Sequence, residues 1–130
     1  MSQRLLLDTQ LLLWAALFPE RLPEKASQLM HDAANTLYFS TVSIWEISIK
    51  LSRPREDLSI DVQEWRAGML GNGYQELVIN SLHAISIRNL PDIHKDPFDR
   101  LLLAQAMRED LTLVTADAVL ASYPGPILKV

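Results

Sequence analysis

Cysteine is absent from the 130 residues of the chain. That excludes disulfide scaffolding and thiolate chemistry, and it permits a reducing compartment. Long apolar runs are missing too, since none reaches the roughly 18 residues that a bilayer span needs. Leucines at 5–7 and 11–13 could suggest a targeting segment, but Asp8, Thr9 and Gln10 interrupt them and no small-residue cleavage site follows. The expectation is a soluble, cytoplasmic protein without membrane association. An excess of basic charge is lacking as well. With 12 Lys and Arg against 16 Asp and Glu the net charge is −4, which argues against bulk electrostatic grip on long duplexes but leaves room for a local phosphate contact. There is no internal repeat, no glycine loop to cradle phosphate and no Ser-His-Asp set, and His31, His83 and His94 show no spacing for a metal site.

What is present is a chain 48% hydrophobic and long enough for one core, read as a single domain over residues 1–130. Apolar runs at Arg4 to Leu7, Leu37 to Phe39, Leu77 to Ile79, Leu111 to Thr115 and Ile127 to Leu128 predict strands. Helices are predicted between them: Leu11 to Phe18, Pro23 to about Ala34, and one carrying Ile44 to Leu51 behind Ser40 and Thr41 as candidate N-caps. Val62 to Leu70, Ser81 to Arg88, Leu101 to Met107 and a turn at Ala118 to Ala121 complete the set. Residues 52–59, charged and containing Pro54, predict an exposed loop. Trp14, Trp45 and Trp65 fall at helical core positions, which favours packing over base stacking. Strands alternating with helices give an α/β fold with a mostly parallel sheet of 4–5 strands, right-handed crossovers, and a ligand crevice beyond the strands' carboxyl ends.

That crevice gives the acids a common destination. Asp8 follows the first strand directly, Asp117 comes two residues after the strand ending at Thr115, and Glu46 lies early in the helix after Leu37 to Phe39. In His94-Lys95-Asp96-Pro97-Phe98-Asp99-Arg100-Leu101, Asp96 suits an N-cap and Pro97 the first helical position, so Asp99 stands on the first turn. Each acid also has a plainer use: Asp8, Asp96 and Asp117 as caps, Asp99 in a capping box, Glu46 in a surface pair with Lys50. Four carboxylates close together would repel unless protons or a divalent cation intervene, and oxygen donors without cysteine favour Mg²⁺ or Mn²⁺ over zinc. The residues by themselves reach as far as an acidic pocket able to take a metal.

At these residues the chain resembles the PIN-domain ribonucleases, and most closely the VapC-like toxins of bacterial type II toxin–antitoxin pairs. The matching segments are LLLDTQLLLW at 5–14, STVSIWEISIK at 40–50, HKDPFDRLLLAQA at 94–106 and TLVTAD at 112–117, in the family's order and across nearly the whole chain. The resemblance implies a three-layer α/β/α sandwich whose acids hold Mg²⁺ or Mn²⁺ to cleave RNA. It implies Asp8, Glu46, Asp99 and Asp117 as the first to fourth acids, with Asp96 a competing third. Gln10 stands where such sequences often have His or Asn. Thr9 and Thr115 are candidate supporting hydroxyls, and Lys50, Lys95 and Arg100 candidate RNA contacts. A VapB-like antitoxin and a homodimer follow from the same resemblance. The alternatives are an RNA-processing PIN nuclease without an antitoxin and a catalytically inactive binding module whose acids only cap helices.

Overall fold

Three successive leucines make the centre of the molecule. In the computed structural model, which describes residues 2–52 and 59–130, Leu5, Leu6 and Leu7 are fully buried in strand β1 (Arg4–Leu7). A strand apolar on both faces must be covered on both, and each such leucine contributes roughly 2 kcal/mol of transfer free energy. β1 is flanked by β2 (Thr36–Ser40) and β4 (Thr112–Thr115), with β3 (Gln75–Leu77) and β5 (Ile127–Lys129) outermost. All four pairings are parallel, in the order β3-β2-β1-β4-β5.

The helices form the two outer layers. Leu5, Leu7 and Phe39 pack with the side chains of α1 (Thr9–Leu17), α2 (Glu24–His31) and α4 (Val62–Gly71). Leu6 and Leu113 face the other way, against α6 (Pro97–Glu109) and α7 (Ala118–Ala121), with α5 (Ser81–Ser86) packed on α6. Helix α3 (Thr41–Lys50) gives Ile47 to the first core and Val42 to the second. This is the expected three-layer α/β/α arrangement. Because strand order reverses at β1, a crevice opens between the carboxyl ends of β1 and β4.

Several expectations need correction. Helix α2 ends at His31 rather than near Ala34, because the Asp32 side chain accepts from Ala34 N and its carbonyl from Asn35 N, closing a turn. The third strand lies at Gln75–Leu77, not Leu77 to Ile79. It is an edge strand, so polar Gln75 and Glu76 fit it, and Glu76 is held by Arg66 and Thr41. Trp45 is 51% exposed rather than in the core; its ring meets Phe98 edge-on at 5.0 Å. Trp65 is buried as expected. Of the loop expected at 52–59, residues 53–58 lie outside the described residues. Among the described residues no helix is long and apolar enough to cross a membrane.

Candidate metal centre

Asp8 is both a cap and a wall of the crevice. Extended backbone takes the chain out of β1, and Oδ1 accepts from Leu11 N at 2.9 Å to start α1. Oδ2 accepts from the Thr115 hydroxyl at the end of β4, and Asp117 N donates to that same hydroxyl at 3.0 Å. Thr115 thus ties Asp8 to the turn that carries Asp117. Asp117 in turn caps α7, its Oδ1 accepting from Val119 N at 2.8 Å while Oδ2 faces His94. Capping occupies Oδ1 of each acid, leaving Asp117 Oδ2 and, beside the Thr115 hydroxyl, a lone pair of Asp8 Oδ2 for the crevice.

Asp96 caps α6 by accepting from Phe98 N and Asp99 N, and Pro97 fills the first helical position. Asp99 is thereby aimed from the first turn, and its Oδ2 takes His94 Nε2 at 3.0 Å. Glu46, 6% exposed, accepts at Oε2 from Lys50 Nζ at 2.7 Å, whereas its buried Oε1 has no hydrogen-bond partner. An orphaned buried carboxylate oxygen is costly in a finished protein core.

These groups share one cleft of about 290 Å³, lined by Asp8, Glu46, Asp96, Asp99 and Asp117 together with Thr9, Gln10, Leu13, Trp14, Lys50 and Ala116. The acids feel one another. Burial, more than any neighbour, raises the Asp8 carboxyl to about 6; hydrogen bonds from Thr115 and Leu11 oppose it, while Asp117 and Glu46 add to it. Burial likewise leads in raising Asp99 to about 7, reinforced by Asp96, Glu46 and Asp8 and opposed by His94. Ionisation of both acids is thus disfavoured in the fold, and a bound cation would relieve that. Five clustered carboxylates, an unpartnered Glu46 oxygen and carboxyls raised first by burial and then by one another fit a hard divalent cation.

Other sequence-derived candidates fall differently. Lys50 lies on the cleft wall, paired with Glu46. Thr9 lines the cleft, with its hydroxyl 2.8 Å from Ser43 Oγ. Lys95 is exposed and does not line it. Arg100 turns away: its guanidinium donates to the carbonyls of Pro91, His94 and Ile87 and to the Tyr123 hydroxyl, a structural clamp rather than a free phosphate contact. His94, set aside on spacing, belongs to the cluster. Its Nε2 and carboxylate oxygens of Asp99 and Asp117 all lie within 4.8 Å of one another. Sequence spacing misses it because the contact to Asp117 is made across 23 residues of chain. The one local signal was its place five residues before Asp99.

Residues 5–126 match the family model described as PIN domain. Among curated proteins, Ribonuclease VapC22 of Mycobacterium tuberculosis is 29% identical over 121 residues, covering 93% of this chain and 92% of that one. Among solved structures, the VapBC2 complex of Rickettsia felis bound to a promoter DNA fragment superposes with a TM-score of 0.73 at 14% identity, over 98% of this chain and 99% of that one. DNA-bound VapBC of Salmonella typhimurium gives 0.67 at 17% identity, over 98% of each chain.

Proposed function

This chain belongs to the PIN domain family, and from that premise we propose that it is a divalent-metal-dependent endoribonuclease, the toxin of a type II toxin–antitoxin pair silenced by a VapB-like antitoxin. The observation that carries the reading is the convergence of Asp8, Glu46, Asp99 and Asp117 on one cleft from four separate segments. Helix capping accounts for Asp8 and Asp117 but not for Glu46, which sits buried in the middle of α3 with a free oxygen. The curated relative named a ribonuclease supports the chemistry, and the toxin–antitoxin complexes of the same fold support the partner.

The cation we propose is Mg²⁺ or Mn²⁺, held by Asp8, Asp99 and Asp117 with Glu46 facing it. When bound, it would supply neutralisation of charge on the scissile phosphate and acidification of water. The chain's own residues do the rest. Thr115 and Leu11 N fix the Asp8 carboxylate before substrate arrives, so little reorganisation remains at the reacting centre. Asp96 and Pro97 fix the start of α6 and with it the direction of Asp99. Lys50, with a side chain 44% exposed, lies at the rim where an RNA phosphate would arrive. We read the whole chain as one nuclease domain working in the cytoplasm, as a homodimer.

The test is sequencing of RNA ends after brief expression of the intact chain and of Asp8→Asn. Defined new ends with the former and none with the latter support the reading; equal cleavage by both removes the acid site.

A further inference from the structure

Among the described residues, the cluster of His94, Asp99 and Asp117 sets an imidazole nitrogen beside carboxylate oxygens. Its Nε2 lies 3.0 Å from Asp99 Oδ2 and 3.6 Å from Asp117 Oδ2. Two ligands at right angles, each roughly 2.1 Å from an ion, stand about 3.0 Å apart. A hydrogen bond joins His94 to Asp99 at that distance, and because one atom each of His94, Asp99 and Asp117 lie within 4.8 Å of one another, the three groups are also close enough to share one cation. The cleft shows a second sign of an absent occupant in the buried, unpartnered Oε1 of Glu46.

The imidazole is held there by its own backbone. His94 N donates to the Tyr123 hydroxyl at 2.7 Å, and the His94 carbonyl accepts from that hydroxyl at 3.1 Å and from Arg100 Nη1 at 3.4 Å. Arg100 is braced in turn on Pro91 O at 2.9 Å. A loop residue clamped at both its N–H and its carbonyl, and turned onto two carboxylates, is preorganised rather than incidental.

We propose that His94 is a nitrogen ligand of the cation held by Asp99 and Asp117, and that this chain therefore binds Mn²⁺ in preference to Mg²⁺. The reason is ligand chemistry. Carboxylates suit Mg²⁺ and Mn²⁺ alike, but Mg²⁺ dehydrates reluctantly and keeps oxygen ligands, so an imidazole in the set discriminates against it and leaves Mn²⁺, the weakest nitrogen binder of its row, the better fit of the two. The inference rests on the divalent-cation reading of the cleft and sharpens it to a mixed nitrogen–oxygen site.

Two measurements on the 130-residue chain test it: calorimetric titration with Mn²⁺ and with Mg²⁺, and electron spin-echo spectroscopy of the Mn²⁺ complex for coupling to a directly bound nitrogen. The intact chain is expected to bind Mn²⁺ at least about 10-fold more tightly than Mg²⁺ and to show imidazole nitrogen coupling. His94→Ala, which leaves the backbone clamp in place, should abolish the coupling and weaken Mn²⁺ about 10-fold while changing Mg²⁺ affinity less than about 3-fold. Should the variant fold poorly, the spectrum of the intact protein decides alone. Saturable Mn²⁺ binding without nitrogen coupling overturns the inference and leaves the cation reading standing. Equal loss of both ions in the variant also overturns it, assigning His94 to general shaping of the cleft. No saturable Mn²⁺ binding to the intact chain overturns both.

Discussion

Two sets of buried polar groups in this molecule behave in opposite ways. On the α5–α6 face, Ser40, Gln105 and His83 are at most 1% exposed and form a closed chain. Ser40 Oγ donates to Gln105 Oε1, Gln105 Nε2 reaches His83 Nδ1 at 3.4 Å, and His83 Nε2 meets Glu109 Oε2 at 3.0 Å. Asn80 N also donates to His83 Nδ1, which makes that nitrogen the acceptor and leaves the proton on Nε2. Donors and acceptors there are matched. In the cleft they are not: carboxylates face carboxylates, and a Glu46 oxygen is left over. A matched network specifies a fold, whereas a mismatched one in an open cleft suits a ligand that completes it. The two histidines summarise the contrast, since each meets an acid at 3.0 Å but His83 is sealed in and His94 opens onto solvent.

The sharpest way to break the contrast is to change one member of each set. Asp99→Asn should lower RNA cleavage on the order of 1,000-fold, as loss of a preorganised electrostatic group does, with Tm unchanged or raised because a repelling charge is gone. Asp8→Asn should behave alike, since Asn caps a helix as well as Asp and the start of α1 survives. Cleavage of end-labelled RNA alongside thermal melting checks both. Gln105→Leu is the reverse case. It should cost about 2 kcal/mol of stability by stranding the Ser40 hydroxyl, yet leave cleavage per folded molecule within about 2-fold, as read by urea unfolding and activity below the transition.

The acidity of the cleft gives a third outcome. The Asp8 and Asp99 carboxyls stand above the usual carboxylate value in the folded chain, so the folded state binds more protons than the unfolded one. The stability they contribute is present below about pH 4 and is lost as pH rises through about 6 and about 7. Without metal, Tm should therefore fall by several degrees, roughly, between pH 5 and pH 8. Saturating Mn²⁺ should restore more at pH 8 than at pH 5. Melting curves at both pH values, with and without the ion, check the sign. Lys50→Ala marks the small end of the scale at about 1 kcal/mol of stability, because it takes the partner from a buried Glu46 oxygen even though the ammonium is half exposed.

Much of the site was legible in the chain because backbone rules placed it. Asp8 and Asp117 are announced by the strands they follow, and Asp96-Pro97 announces where α6 begins and so where Asp99 points. The layered α/β fold follows from the same alternation of strands and helices. The rest depended on tertiary contact. Apolar residues surround α3, so nothing local tells buried Ile47 from exposed Trp45; the approach of α6 and Phe98 decides it. Arg100 beside Asp99 reads as a phosphate contact until the carbonyls of Pro91 and Ile87 turn out to hold it. His94 acquires its partners only when the loop before α6 folds over the end of β4.

The most direct measurement is anomalous diffraction from crystals grown or soaked with Mn²⁺. A peak is expected inside the cleft, within coordination distance of Asp8, Asp99 and Asp117 carboxylate oxygens. A peak elsewhere, or an empty cleft at saturating Mn²⁺, would contradict it.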